Sequence, residues 1–124
     1  MTLMHKFLGA SAALALTAGT AVADPAILFD LGGKFDKSFN ESAYNGAERW
    51  AAETGGSYAE VEIQSDAQRE QAIRRFAESG ANPIVMAGFS WATPLAEVAA
   101  DYPDTKFAII DMVVDAPNVR SVVF

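Results

Sequence analysis

Asp30, Ser38, Phe39 and Asn40 lie within one short stretch, and Asp111 closes a separate apolar run. A carboxylate accepts paired hydrogen bonds from sugar hydroxyls or from the edge of a base, and an aromatic ring stacks on a heterocycle for roughly 1–3 kcal/mol. Together these residue types suit an uncharged ligand rich in hydroxyls and ring nitrogens. A phosphorylated ligand fits poorly, because Asp30, Asp36 and Asp111 would repel it unless Lys34 or Lys37 compensated. Each position also has a plainer role. Asp30 after a strand serves as a turn former, Phe39 near a helix start as a hydrophobic staple, and Asn40 in a first turn as a partner for local backbone. Asp111 is the best single candidate, since packing explains a carboxylate there poorly. Gly32-Gly33 has neither the GxGxxG nor the GxxxxGK[ST] spacing and is a weak phosphate signal.

Composition removes other chemistries. The 124 residues contain no cysteine and a single histidine, His5. Residues 1–23 run from a basic start with Lys6 through the apolar stretch Phe7 to Val22 and close on Ala21-Val22-Ala23, the three-part pattern of a secretory signal peptide. Gly9, Ser11, Thr17, Gly19 and Thr20 dilute the run too far for a membrane span. Cleavage after Ala23 removes His5, so serine-histidine and cysteine-histidine catalysis and most zinc sites are excluded from residues 24–124. With no cysteine to carry a lipid, the sequence predicts a periplasmic or secreted protein that is not a lipoprotein. Sixteen acidic against nine basic residues give a net charge of −7, which argues against nucleic acid as a partner.

The elements that must hold these residues alternate. Ala26 to Phe29 is a continuous apolar run, the mark of a strand buried on both faces of a parallel sheet. After the loop Asp30 to Lys37, Ser38 with Glu41 reads as a capping box, and Ala43, Tyr44, Ala47, Trp50 and Ala51 share one helical face up to Gly55-Gly56. Tyr58 to Ile63 reads as a second strand. Ser65 with Gln68 forms another capping box before the stripe Ala72, Ile73, Phe76, Ala77 and the stop at Gly80. Pro83 to Ala87 is a third strand, Thr93-Pro94 opens a helix ending before Pro103, Lys106 to Ile110 is a fourth strand, and Asn118 to Phe124 a fifth. The fold class is therefore α/β, a parallel sheet with helices on both faces. The uncapped apolar run Ser121 to Phe124 reads as a truncated domain, with residues 24–124 forming the N-terminal part of a larger lobe. Ligands of such sheets sit beyond the carboxyl ends of the strands, which gathers Asp30, Gly32, Gly33, Ser38, Phe39 and Asn40 with Gly88, Phe89, Ser90 and Asp111 on one rim.

Asp30-Leu31-Gly32-Gly33-Lys34-Phe35-Asp36-Lys37-Ser38-Phe39-Asn40 with Gly46 resembles the opening of the basic membrane protein family. A second block agrees: Gly88-Phe89, then Tyr102 to Asp111, Asn118-Val119 and Ser121 to Phe124. These are substrate-binding proteins of ABC transporters with a type I periplasmic-binding-protein fold and purine nucleosides as typical ligands. The resemblance implies that Phe39 stacks on the nucleobase, that Asn40 and Asp111 hydrogen-bond the nucleoside, and that Asp30 is a further polar contact. It makes Ser38 and Gly88 supporting residues of the cleft. It further implies two lobes closing over the ligand, a permease in the membrane as partner, a monomer, and neither cofactor nor metal. Two other readings stand beside it. One is a sugar or autoinducer-like receptor of the same fold; the other is a small secreted hydrolase using Asp30 and Asp111 as acid and base.

Overall fold

The computed structural model describes residues 22–124, so the expected signal segment lies outside the described residues except for the exposed Val22 and Ala23. Five apolar runs form strands: β1 (Ala26–Phe29), β2 (Ala59–Glu62), β3 (Ile84–Ala87), β4 (Phe107–Ile110) and β5 (Val119–Val122). Three helices alternate with them: α1 (Phe39–Thr54), α2 (Arg69–Glu78) and α3 (Ala92–Val98). All strand pairs are parallel, in the order β2-β1-β3-β4-β5. β1 has the bounds its apolar run suggests, and β2 to β5 are a residue or more shorter than read, because pairing stops where the loops turn away.

Strand residues alternate between the two faces of a sheet. Ala26, Leu28, Ile84, Met86, Phe107 and Ile109 meet Ile73 and Phe76 of α2 and Leu95 and Val98 of α3 in one core. Ile73, Leu95 and Ile109 are fully buried, and such burial stabilises by about 1.5–3 kcal/mol per side chain. The opposite face carries Ile27, Phe29, Val85 and Ile110, and among the described residues α1 is the helix that covers it. Tyr44 meets Phe29 edge-on at 6.5 Å between centroids. The stripe predicted for α1 does turn toward the sheet, but its cover is partial. Ala43, Ala47 and Trp50 line, with Ile27, Val85 and Ile110, an apolar groove of about 590 Å³.

The helix starts differ from both expected capping boxes. Ser38 makes no side-chain cap bond; the Asp36 carboxylate instead accepts the N–H groups of Ser38 (2.8 Å), Asn40 (3.1 Å) and Glu41 (3.1 Å). An acceptor two residues upstream of Ser38 reaches three free donors at once, where the serine hydroxyl would serve one. At α2 the box is displaced by one residue. Gln68 Oε1 accepts the Gln64 N–H at 2.7 Å, while Ser65 caps nothing and a 3₁₀ turn, Asp66–Gln68, comes before the helix. A second such turn, Phe89–Trp91, moves the start of α3 ahead of Thr93. Pro94 falls within the first turn, where its missing N–H is tolerated.

Candidate functional site

The chain leaves β1 for β2 on one side and returns through α2 to β3 on the other, so the topological switch point lies between β1 and β3. In open α/β sheets ligands occupy the crevice outside the carboxyl ends of the strands at this point. Asp30, Gly88 and Asp111 directly follow β1, β3 and β4, which are adjacent. Gly88 donates its N–H to the Ile110 carbonyl at 3.2 Å, and Asp111 donates to the Val122 carbonyl at 2.8 Å, so pairing carries all three to one edge.

Gly88 has φ +114°, and a Cβ built there would stand 2.6 Å from Asp30 Oδ2. Only glycine allows this backbone and this approach. Asp30 itself is held from two sides. Its Oδ1 accepts the Leu31 N–H at 2.7 Å and Arg69 Nη2 at 2.6 Å. Its own N–H donates to Asn40 Oδ1 at 3.0 Å, and its carbonyl accepts Asn40 Nδ2 at 3.1 Å.

Asn40 is 2% exposed, and Nδ2 also reaches the Leu31 carbonyl at 3.4 Å. Its amide is committed to the β1–α1 loop. In this structure it therefore braces Asp30 from behind the rim, where the resemblance implies a direct hydrogen bond to ligand. Phe39 begins α1 and is half-buried. Ser38 is exposed; its carbonyl accepts the N–H and the hydroxyl of Ser42 at 3.1 and 2.8 Å, and its hydroxyl makes no cap. Asp111 is exposed, with φ +73°. Aspartate visits this left-handed region more readily than most residues, and such backbone clusters at ligand sites.

The loop after β1 is pinned to β2. Lys34 pairs with Glu60, and its N–H donates to Glu62 Oε1 at 2.7 Å. The Glu60 partner raises the Lys34 ammonium above its ordinary value, while burial opposes weakly. Lys34 also lies over the rings of Phe35 and Tyr44, at 5.4 and 5.0 Å. Of the two cations that could compensate a phosphate, Lys34 is thus already engaged, while Lys37 is exposed. Desolvation pushes the Asp36 carboxyl up, but the N–H groups of Glu41, Ser38 and Asn40 outweigh it and hold the group below the usual carboxylate range.

Two features of the site escape sequence reading. One is the exposed apolar surface of Phe35, Met112 and Val113 on the loops after β1 and β4, which adds to that of Phe89, 63% exposed and already expected on the rim. Their signal was available: apolar residues directly after Gly88 and Asp111, outside any strand or helix stripe. The other is Arg69, 4% exposed and paired with Asp30, which nothing local in the sequence reveals. Among the described residues no group of three His, Cys, Asp or Glu is placed to hold a metal ion. No described helix is long and apolar enough to cross a membrane.

Comparison with known proteins agrees with this geometry. A family described as ABC transporter substrate-binding protein PnrA-like (Bmp) matches residues 24–124. An uncharacterised lipoprotein of Pyrococcus furiosus is 48% identical over 90 residues, which are 69% of this chain and 22% of that protein. An ABC transporter nucleoside-binding protein of Lactococcus lactis is 30% identical over 104 residues, 80% of this chain and 30% of that one. A solved ABC transporter solute-binding protein of Aeropyrum pernix superposes with a TM-score of 0.76 at 39% identity, over 81% of this chain and 28% of that one. The chain spans between a fifth and a third of the length of these proteins. The Pyrococcus name corrects one expectation, that this is not a lipoprotein. That expectation rested on the lack of cysteine, a fact about one residue type that does not describe how relatives are held at a membrane; an extracytoplasmic place agrees with the name. The parallel sheet order and the match across residues 24–124 lead to one conclusion: the chain belongs to the Bmp family of PnrA-like ABC transporter substrate-binding proteins.

Proposed function

We propose that the protein captures a nucleoside, foremost a purine nucleoside, at the β1/β3 switch point and delivers it unchanged to an ABC transporter permease. The observation that carries this reading is the row of Asp30, Gly88 and Asp111 directly after three adjacent parallel strands, with Asp30 partly and Asp111 fully exposed on either side of the buried Gly88. In this reading Asp30 and Asp111 accept hydrogen bonds from the nucleoside and Phe39 stacks on its base. Asn40, Ser38 and Gly88 support the cleft. The relative from Lactococcus lactis, named a nucleoside-binding protein, favours the same ligand class. The receptor acts as a monomer and uses neither metal nor cofactor.

Calorimetric titration of the full-length gene product with inosine, guanosine and adenosine tests the reading. Saturable heat with nucleosides and none with sugars or amino acids is expected. Heat with sugars alone would replace the nucleoside by a carbohydrate ligand. Chromatography of the recovered ligand should return intact nucleoside; free base would show hydrolysis and overturn the receptor role.

A further inference from the structure

We infer that Arg69 is a positioning residue for the candidate site: by fixing one oxygen of Asp30 it keeps the other directed at the mouth. The inference rests on the reading of Asp30 as a ligand contact. Arg69 is the first residue of α2, yet its side chain crosses to the end of β1. Nη2 lies 2.6 Å from Asp30 Oδ1 and 2.8 Å from Asp66 Oδ1, and Nε donates to Asp66 Oδ1 at 2.9 Å. The guanidinium carbon stands 4.9 Å from the centroid of Trp91, itself buried. One side chain therefore ties together the connections after β1, β2 and β3, the three that meet around the switch point.

The two oxygens of Asp30 have different surroundings. Oδ1 takes both Arg69 and the Leu31 N–H, while Oδ2 is turned toward Gly88, whose missing Cβ leaves room for it. A carboxylate anchored through one oxygen loses its freedom to rotate before ligand arrives, so less ordering remains to be done on binding. The bonding of Arg69 itself points the same way. Its Nη1 is buried without a protein partner. The guanidinium is aligned on the two aspartates, not on the arrangement that would satisfy all of its donors.

The test is a double-mutant cycle in the full-length protein with inosine as probe, using Arg69→Met, Asp30→Asn and the double variant, with circular dichroism to confirm folding. If Arg69 acts through Asp30, Arg69→Met weakens inosine at least about tenfold, Arg69→Lys restores part of the loss, and the double variant binds no worse than Asp30→Asn alone. Unchanged affinity in folded Arg69→Met, or losses that simply add, would overturn the inference. Should Arg69→Met fail to fold, the same cycle is run with Arg69→Lys. A readout without ligand separates this from the nucleoside reading. Exchange of the Leu31 amide, bonded to Asp30 Oδ1, should accelerate at least about tenfold in the Arg69 variants. Unchanged exchange sinks the positioning role even if wild type binds inosine, and failure of wild type to bind any nucleoside sinks the functional reading while the amide still decides the role of Arg69.

Discussion

Asp30 and Asp111 end neighbouring segments of one rim, yet they are built in opposite ways. Asp30 keeps only part of its side chain in solvent and is held by Arg69, Leu31 and the Asn40 amide. Asp111 is exposed, makes no ion pair among the described residues, and is placed only by its main chain. A fixed carboxylate supplies geometry, and a free one supplies adaptability. The contrast separates stability from binding at two positions where the residue type is the same.

The largest effect is expected at Asp30. Asp30→Ala leaves the buried Arg69 with Asp66 alone, and removing one partner of a buried pair costs about 3 kcal/mol. Urea unfolding should show this loss together with the loss of inosine binding. Gly88→Ala should come next, at about 2 kcal/mol, because it forces a Cβ against Asp30 Oδ2 at a φ that L residues rarely adopt. Its affinity loss should exceed what its stability loss explains, since it displaces the very oxygen turned to the mouth. Asp111→Gly should reverse the pattern: relief of the left-handed backbone makes the protein up to about 1 kcal/mol more stable while inosine binding weakens. A parallel loss of stability and binding at Asp111 would erase the distinction from Asp30.

The smallest effect concerns the start of α1. The Asp36 carboxyl is held below its unfolded value of about 3.9. A depressed folded value stabilises fully above the unfolded value, and the gain is lost as pH falls through the folded one. Asp36→Ala should therefore lower the melting temperature at neutral pH, and the gap to wild type should close in acid below pH of about 4.

The centre of the sheet could be read from the chain because β1, β3 and β4 are apolar runs bounded by turn formers, while the edge strands β2 and β5 carry polar residues and are mostly exposed. Strand ends and helix caps were less legible. Ser38 and Glu41 match the spacing of a capping box, but that pattern ignores Asp36, which reaches three donors from the preceding loop. Asp30, Gly88 and Asp111 could be placed on the rim because each directly follows an apolar run whose carboxyl end they mark, and a parallel sheet brings those ends to one side. The backbone-bonding role of Asn40 is local, within ten residues, and matches the plainer role its first-turn position suggests. The role of Arg69 could not be read this way: it depends on segments far apart in sequence arriving at one place, and an arginine opening a polar helix looks, in one dimension, like any solvated cation. The buried Trp91 is the aromatic surface on which that arginine rests.

At the other end of the strands, the buried Asn118 donates its side-chain amide to the carbonyls of Ala99, Tyr102 and Thr105, at 2.9, 2.9 and 3.1 Å. Asn82 joins the same floor by accepting the Lys106 N–H at 3.0 Å. The base of the sheet is thereby riveted, and at its top the loop after β1 is tied through Asp30, Asp36 and Asn40, while the loop after β4 leaves Asp111, Met112 and Val113 exposed. When a guest settles in, adjustment falls to the upper loops, and the strands beneath keep their register like fingers joined at the palm.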